Sequence, residues 1–422
     1  MFCPLPDAGL IVVDEEHDGS YKQQDGVRYH ARDLAVVRAR ALGVPVVLGS
    51  ATPSLESLHN AFAGRYAHVR LDRRAGRAKP PSVRVLDVRT RPLRHGLSVE
   101  LLDAVGRCVG RGEQALVFRN RRGYAPVLLC HDCGWSAHCA RCDAAMTVHS
   151  GGRRLICHHC GARARPPDAC PDCASLALLP QGAGTERIEQ VLAERFPDAR
   201  LLRIDRETTR HRDAIGTLLR EFGDAPGILV GTQMLAKGHA LPRLTLVAVV
   251  GVDEGLFSAD FRAGEKLAQL LIQVAGRAGR GALAGEVVLQ THHPSHPLLT
   301  TLLAGGYPAV AALQLAEREA AGFPPFAPLA LMRAEAASED EVQSFLQDAR
   351  DAFPGTDGTW LNGPMPAPMP RRAGKARAQL LLGATQRGPL HAVLSDWLPR
   401  VRALPSARRV RWSIDVDPVD LY

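Results

Sequence analysis

The sequence predicts an α/β chain of two parallel-sheet lobes, the first incomplete, with a Cys-rich insertion inside the second lobe and a small C-terminal α+β domain. Three observations carry this reading. Short apolar runs rich in Val, Ile and Leu alternate with helical stretches through residues 10–48 and 115–290. Eight cysteines crowd into residues 130–173 as four Cys-x-x-Cys pairs, interrupting the second alternating stretch. The last hundred residues then read strand, helix, strand, helix, strand.

A chain of 422 residues is long enough for two or three cores. In the first lobe, Leu10–Val13 is an apolar run, Ala31–Leu42 is helical, and Val44–Leu48 is a second run ending in Gly49-Ser50. This is a βαβ unit, so function should sit at the strand C-termini. The second lobe begins with a strand at Ala115–Phe118. After the insertion come a helix at Glu186–Arg195 and strands at Arg200–Ile204, Gly227–Val230, Leu244–Val250 and Gly285–Gln290, the last preceded by a helix through Leu267–Val274. The third domain reads strand at Ala327–Ala334, helix at Glu339–Phe353, strand at Ala378–Leu382, helix at His391–Ala403 and strand at Val410–Asp415. Gly363–Arg377 reads as an exposed loop. The boundaries that follow are 1–98 for the first lobe, 99–128 for the start of the second, 129–175 for the insertion and 176–300 for the rest of the second. A connector fills 301–325 and the C-terminal domain 326–422.

Net charge is +8, which favours a polyanionic partner, although solvated Arg-rich surfaces give the same balance. No apolar run approaches the roughly 18 residues of a membrane span. Met1–Pro6 has no basic segment leading into an apolar one, so a cytoplasmic protein acting as a monomer is expected.

Asp14-Glu15-Glu16-His17 follows the first apolar run directly. A nucleotide motor needs an acid at such a strand end to hold Mg²⁺ and a neighbouring carboxylate to orient water. Asp14 is the candidate metal residue and Glu15 the candidate base, with Glu16 and His17 beside the nucleotide; an acidic turn is the plain alternative. Ser50-Ala51-Thr52-Pro53 follows the next strand and so lies beside Asp14, where Ser50 and Thr52 could couple the site to DNA. A helix cap before Leu55 is compatible with this.

Gln273, Gly276, Arg277 and Arg280 end a helix. Arginines three apart share a face, as arginine fingers require, while a basic helix terminus is the alternative. Gly231-Thr232-Gln233 follows a strand and offers backbone N–H groups and a hydroxyl to a phosphate. Thr208 occupies a similar strand end, where a capped helix explains it almost as well.

The insertion holds Cys130, Cys133, Cys139, Cys142, Cys157, Cys160, Cys170 and Cys173. Each pair is a knuckle supplying two thiolates, so four knuckles make two closed Cys₄ Zn²⁺ sites; redox pairs and disulfides are the alternatives. Five residues between the first two knuckles are few for a loop returning both to one ion, whereas fourteen between the second and third suit a ribbon. Cys139, Cys142, Cys157 and Cys160 should therefore share one ion, and the other four should enclose it with a second. Cys3 and Cys108 are isolated and read as ordinary buried thiols.

At Asp14–His17, Ser50–Thr52, Gly231–Gln233 and Gln273–Arg280 the sequence resembles motifs II, III, V and VI of superfamily 2 helicases. Tyr21-Lys22-Gln23-Gln24, Arg28 through Asp33, Gly184-Thr185-Glu186, Ser258 through Arg262 and Asp415 through Pro418 narrow the resemblance to the PriA (primosomal protein N′) family, along the whole length. The resemblance implies two RecA-like lobes, two structural Zn²⁺, ATP with Mg²⁺, 3′→5′ unwinding at stalled forks, and primosome assembly. It implies forked and single-stranded DNA, single-stranded-DNA-binding protein and primosome loading proteins as partners. Tyr21 and Tyr29 would stack on bases, with packing an equal alternative, and Arg65, Lys375 and Gln379 would hold the acidic tail of the single-stranded-DNA-binding protein, with a solvated basic loop the equal alternative.

Two departures matter. No Gly-x-x-x-x-Gly-Lys-Ser/Thr occurs, and the family's amino-terminal DNA-binding domains have no counterpart. The expectation is an N-terminally truncated chain of doubtful turnover. The rival is a non-catalytic zinc-bearing DNA- or protein-binding scaffold.

Overall fold

The computed structural model describes residues 7–71, 80–120, 127–141, 145–149, 154–157, 161–180, 185–205, 208–209, 214–232, 241–258, 260–279 and 283–421. The chain divides into two compact units: Met1–Val69 with Asp260–Glu265 and Ala311–Tyr422, and Arg70–Ala259 with Lys266–Val310.

In the first unit β1 (Ile11–Val13) and β2 (Val46–Leu48) pair in parallel, with Ile11 opposite Val46 and Val13 opposite Leu48. The crossover helix α1 (Ala31–Leu42) ends on Gly43, whose φ of 67° lets its N–H close the last turn. α2 (Leu55–Phe62) begins at Ser54, whose hydroxyl accepts from the Ser57 N–H. Parallel pairing places both strand C-termini, and the loops after them, at one edge.

The second unit opens with β3 (Ser82–Asp87), a small ladder of β4 (Leu93–Arg94) and β5 (Leu97–Ser98), α3 (Val99–Gly110) and β6 (Gln114–Arg119). The insertion carries β7 (Leu128–Cys130), β8 (Thr147–His149), β9 (Arg154–Ile156), β10 (Arg163–Ala164) and β11 (Leu178–Pro180). Then follow α4 (Thr185–Arg195), β12 (Arg200–Ile204), α5 (Ala214–Phe222), β13 (Gly227–Gly231), β14 (Leu244–Val250), α6 (Val252–Leu256), α7 (Ala263–Ala275) and β15 (Glu286–Thr291).

Among the described residues the main sheet has six strands in the order β12-β13-β6-β14-β15-β3, all parallel. β14 is buried along its whole length, as a strand covered on both faces must be. Ala115 and Val117, Ile228 and Val230, and Leu246 and Ala248 alternate along their strands, so one face of each packs on Leu101 and Val105 of α3 and Ile188 and Leu192 of α4. After β6 the chain crosses to the edge at β12, returns through β13 beside β6, and then continues outward on the other side through β14 and β15; the insertion departs from the C-terminal end of β6.

β3 corrects the lobe boundary expected at residue 98. It pairs with β15 as an edge strand, so residues from Arg70 onward belong to the second unit. Its partner lies some two hundred residues away, which no local pattern reveals. α8 (Pro297–Ala321) replaces most of the expected connector. Gly306, at φ 65° and ψ −163°, and Pro308 interrupt its helical pattern. One 18-residue window of α8 reaches a mean hydropathy of 1.4, enough by length and composition to cross a membrane. Gln314 and Arg318 are nonetheless buried along it, and Arg318 pairs with Glu265 at 2.7 Å, as in a core helix.

The C-terminal domain comprises β16 (Leu329–Ala336), α9 (Glu339–Asp351), β17 (Thr359–Arg372), β18 (Lys375–Ala384), α10 (Arg387–Ala403) and β19 (Arg411–Val416). Its antiparallel sheet runs β17-β18-β16-β19. Ala330, Met332 and Ala334 face the helices with Phe345, Leu390 and Trp397, while Leu329 and Leu331 face Phe261, Phe323 and Met365. The indole N–H of Trp397 donates to the Ala349 carbonyl at 2.8 Å, tying α10 to α9.

β17 overturns the loop expected at 363–377. Pro364, Pro366, Pro368 and Pro370 cannot donate to a ladder, but β17 is an edge strand, and its register shifts between Asn362 and Met365 and between Pro366 and Arg371 absorb them. Ala373 and Gly374 form the two-residue turn into β18 at φ 49° and 79°, a geometry that disfavours alanine. Ala373→Asn is expected to stabilise the protein by about 0.5 kcal/mol, read as a rise in the denaturation midpoint at constant slope.

Candidate functional site

The acidic turn leaves β1 with Glu15 at φ 47°, a left-handed conformation that is strained for a non-glycine residue. The Glu15 N–H donates to Asp14 Oδ1 at 2.9 Å, and both side chains are exposed at the sheet edge. The turn is stitched to the loop after β2. The Gly49 N–H donates to the Val13 carbonyl at 2.8 Å, and the Glu16 N–H to the Gly49 carbonyl at 3.0 Å. His17 Nδ1 lies 2.7 Å from Ser50 Oγ, which also accepts from the Thr52 N–H at 2.9 Å. Two stretches singled out separately in the sequence, Asp14–His17 and Ser50–Thr52, are thus in direct contact. Thr52 is fully buried.

Glu16 is a correction. Expected beside a nucleotide, it is only 1% exposed. Its carboxylate accepts from the Ser54 N–H at 2.6 Å, the Ser54 hydroxyl at 3.0 Å, the Ser57 hydroxyl at 2.9 Å and Arg32 Nη1 at 3.2 Å. A carboxylate so fully engaged organises the start of α2 and has no lone pair to offer a ligand. Tyr21 donates its hydroxyl to the Asp14 carbonyl at 2.7 Å, and Tyr29 is half-buried at the far end of the same loop.

In the second unit Gly231 ends β13 and Thr232 follows it; Gln233 lies outside the described residues. The Thr208 hydroxyl accepts from the Asp205 N–H at 2.9 Å and the Thr208 N–H donates to Asp205 Oδ1 at 3.1 Å, so this hydroxyl closes a capped turn. Gln273 lies in the last turn of α7, with Gly276 and the buried Arg277 just beyond; Arg280 lies outside the described residues.

Several polar groups at strand ends escaped the sequence reading. Arg119, at the end of β6, pairs with buried Glu254 of α6. Asn120 Nδ2 donates to the Gly251 carbonyl at 3.2 Å. Asp253 Oδ2 lies 2.7 Å from His292 Nδ1. His292 Nε2 lies 2.9 Å from Nδ1 of His131, inside the first knuckle, and His131 Nε2 lies 2.8 Å from the Arg91 carbonyl. For Asn120, Asp253, Glu254 and His292 the signal was their position one to four residues past a parallel strand.

Three knuckles share one backbone pattern among the described residues. The first Cys N–H donates to the carbonyl five residues on, from Cys130 to Trp135, Cys157 to Ala162 and Cys170 to Ser175, at 2.7, 2.8 and 2.8 Å. The N–H four residues on returns to the first Cys carbonyl, from Gly134, Gly161 and Ala174. That returning residue needs positive φ, here 84°, 74° and 58°. The Sγ atoms of Cys130, Cys133, Cys170 and Cys173 all lie within 4.8 Å of one another. Cys139 and Cys157 share a small core with Met146, Val148 and Leu155, while Cys142 and Cys160 lie outside the described residues. Burial and neighbouring thiols push the Cys133 thiol up to about 12. Against burial, the Cys173 and Asp172 N–H groups draw Cys170 down to about 7. Four sulfurs this close ionise together only around a cation, and a tetrahedral thiolate set fits Zn²⁺.

Of the three candidate partner residues, Arg65 donates to Asn60 Oδ1 at 3.2 Å and exposed Lys375 lies 3.7 Å from Glu335. Gln379 is buried at 2% exposure; its Nε2 donates to the Leu421 carbonyl at 3.3 Å and its Oε1 has no hydrogen-bond partner among the described residues, so the amide lies inside the domain and not at the surface where the expected role needs it.

A six-stranded parallel sheet with a Cys-rich insertion at the end of one of its central strands, together with an antiparallel α+β domain, defines a multidomain α/β protein carrying a Cys₄ metal-site module. Residues 139–165 match the family model described as PriA DNA helicase Cys-rich region domain, and residues 319–419 match Primosomal protein N C-terminal domain. The chain is 48% identical over 424 residues to Replication restart protein PriA of Haemophilus influenzae and 39% identical over 430 residues to that of Bacillus subtilis. These alignments take in 100% and 99% of this chain but 58% and 53% of those relatives, so the chain spans a little over half their length. RecG bound to a three-way DNA junction is matched at 15% identity over 73% of this chain and 30% of that one, with a TM-score of 0.37. The chain belongs to the PriA family.

His30 sits at the N-cap position of α1, within the loop after the acidic turn, without a side-chain capping bond. Burial, then Arg32, lowers its pKa from 6.5 to about 4. The unfolded chain therefore takes up this proton first, and the stability present above pH 6.5 is lost as pH falls towards 4. His30→Gln is expected to remove about 2 kcal/mol of that loss, seen as a shallower fall in unfolding midpoint across this window.

Proposed function

We propose that these residues form part of an ATP-dependent 3′→5′ DNA helicase that recognises stalled forks and starts primosome assembly. The contact of His17 with Ser50 carries the reading, because it joins an exposed acidic pair at one strand end to a hydroxyl loop at the next. The names borne by the relatives support it. Asp14 would hold Mg²⁺ and Glu15 would orient water, while Gln273, Gly276, Arg277 and Arg280 serve the γ-phosphate. Bound ATP with Mg²⁺ supplies the phosphoryl group. Ser50, Gly231, Thr232 and Gln233 line the DNA track, with Tyr21 and Tyr29 towards the bases; Thr52, fully buried and so corrected from the expected DNA contact, holds Ser50 from behind, and Thr208 shapes its turn. The module holds two structural Zn²⁺ in the nested arrangement, and Arg65 and Lys375 meet the acidic tail of single-stranded-DNA-binding protein. The 422 residues contain no phosphate loop, which favours a second reading for this stretch alone: a zinc-bearing DNA- or protein-binding scaffold.

Metal analysis of reduced protein should give two zinc equivalents, with Cys173→Ser losing one and retaining the other. One equivalent or none in the parent chain overturns the nested assignment. The purified chain should hydrolyse ATP near background. Joined to a phosphate-loop segment from a relative, it should gain DNA-stimulated turnover, which Glu15→Gln should lower by about 100-fold or more while nucleotide binding persists. Unchanged turnover in Glu15→Gln removes it from the base role.

A further inference from the structure

Neighbouring side chains in the loop after the acidic turn grip two different elements. A 3-10 turn at Gly19–Tyr21, capped by Asp18 through the Ser20 N–H at 2.9 Å, sets Tyr21 and Lys22 apart. Tyr21 reaches back to the Asp14 carbonyl at 2.7 Å. Lys22 reaches into the C-terminal domain. Its Nζ donates to the Val416 carbonyl at 2.7 Å and the Asp417 carbonyl at 3.1 Å, and lies 2.8 Å from Asp415 Oδ1. Two of the ammonium's protons go to these carbonyls, and the Asp415 carboxylate lies against its charge as an ion pair. The Lys22 side chain is 2% exposed and that of Asp415 3%, and Asp415 is flanked by Arg333 at 3.2 Å and Arg28 at 3.7 Å. Any shift would strand this buried charge away from its carboxylate and both carbonyls, so the contact has one register and Lys22 cannot slide. The loop closes on itself as well: the Gln23 N–H donates to the Tyr29 carbonyl at 2.9 Å, and Lys22 bridges to His30.

We propose that the C-terminal domain holds the acidic turn in place through this pair, with Lys22 and Tyr21 as positioning residues for Asp14. The inference rests on the nucleotide-site reading of Asp14 given above. Glu15 departs from Asp14 in a left-handed conformation, and a strained turn keeps its shape only under restraint from outside. Lys22 anchors the loop on the end of β19, and Tyr21 passes that restraint to the Asp14 carbonyl, on the peptide group next to the Cα that carries the carboxylate. Whatever displaces the end of β19 then loosens Asp14.

Amide hydrogen exchange on the 422-residue chain tests this, each variant being compared at an equal margin below its own unfolding midpoint. Lys22→Met leaves Asp415 with Arg28 and Arg333, so the domain remains folded. It should raise exchange of residues 14–18 by roughly tenfold, as loss of one well-placed hydrogen bond implies. Tyr21→Phe should do the same, and the double variant should add nothing further. Arg333→Met also removes a cation from Asp415 but does not touch the loop, and should leave residues 14–18 unchanged. The proposal is overturned if Lys22→Met leaves residues 14–18 unchanged, if Arg333→Met accelerates them equally, or if the two loop substitutions add. The measurement uses no nucleotide, so failure of the helicase reading and failure of this coupling are seen separately.

Discussion

The first unit depends on one buried carboxylate. Glu16 draws together the acidic turn, Arg32 of α1 and the start of α2, and each of its contacts is one that water would otherwise make. Removing the carboxylate would leave Arg32 and two serines without it in the interior, a far larger loss than any one hydrogen bond contributes. The Glu16 backbone N–H is held by the Gly49 carbonyl, so the same residue fixes the spacing at which His17 meets Ser50. The exposure of Asp14 and Glu15 follows from this: the turn is held from below by Glu16, and its outer carboxylates are left facing solvent.

Charge is also what secures the C-terminal domain within its unit. Glu56, in the first turn of α2, lies 2.5 Å from Arg262 and 3.8 Å from Arg318. Burial opposes its ionisation, yet Arg262 and Arg318 hold it down to about 2. Glu265 accepts from the Leu55 N–H at 2.9 Å and pairs with Arg318 at 2.7 Å. Phe261 stacks on Phe323 with ring centroids 4.8 Å apart, and both arginines lie over its ring. Asp260–Glu265 is thus a polar and aromatic plug, assigned by sequence to the second lobe but packed in the first unit. Such a network specifies one arrangement, since any shift strands a buried charge.

In the second unit the insertion is tied to the sheet edge by more than its flanking strands. β7 and β11 pair as a neck, and His131, within the outer knuckle, reaches His292 and through it Asp253. Metal binding at the outer knuckles would therefore order a segment already anchored to the end of β15 and the start of α6, which is how a closed thiolate site can stiffen this unit without chemistry of its own.

Much of this was legible in the chain itself. Ala31–Leu42, Arg200–Ile204 and Leu244–Val250 were readable to the residue, because helical period and apolar runs are local properties. Knuckle spacing carried the outer cysteine grouping, since short loops leave few ways to gather four thiolates. What tertiary structure alone decided is where a side chain's partner lies far off in sequence. β3 found its sheet through β15, β17 tolerated its prolines by lying at an edge, and Glu16 turned inward to Ser54 and Ser57 where its neighbours Asp14 and Glu15 stayed out. Gln379 went the same way, buried against Leu421. Acidic and amide side chains look alike in a sequence; burial and long-range hydrogen bonding separate those that build the site from those left free to act in it.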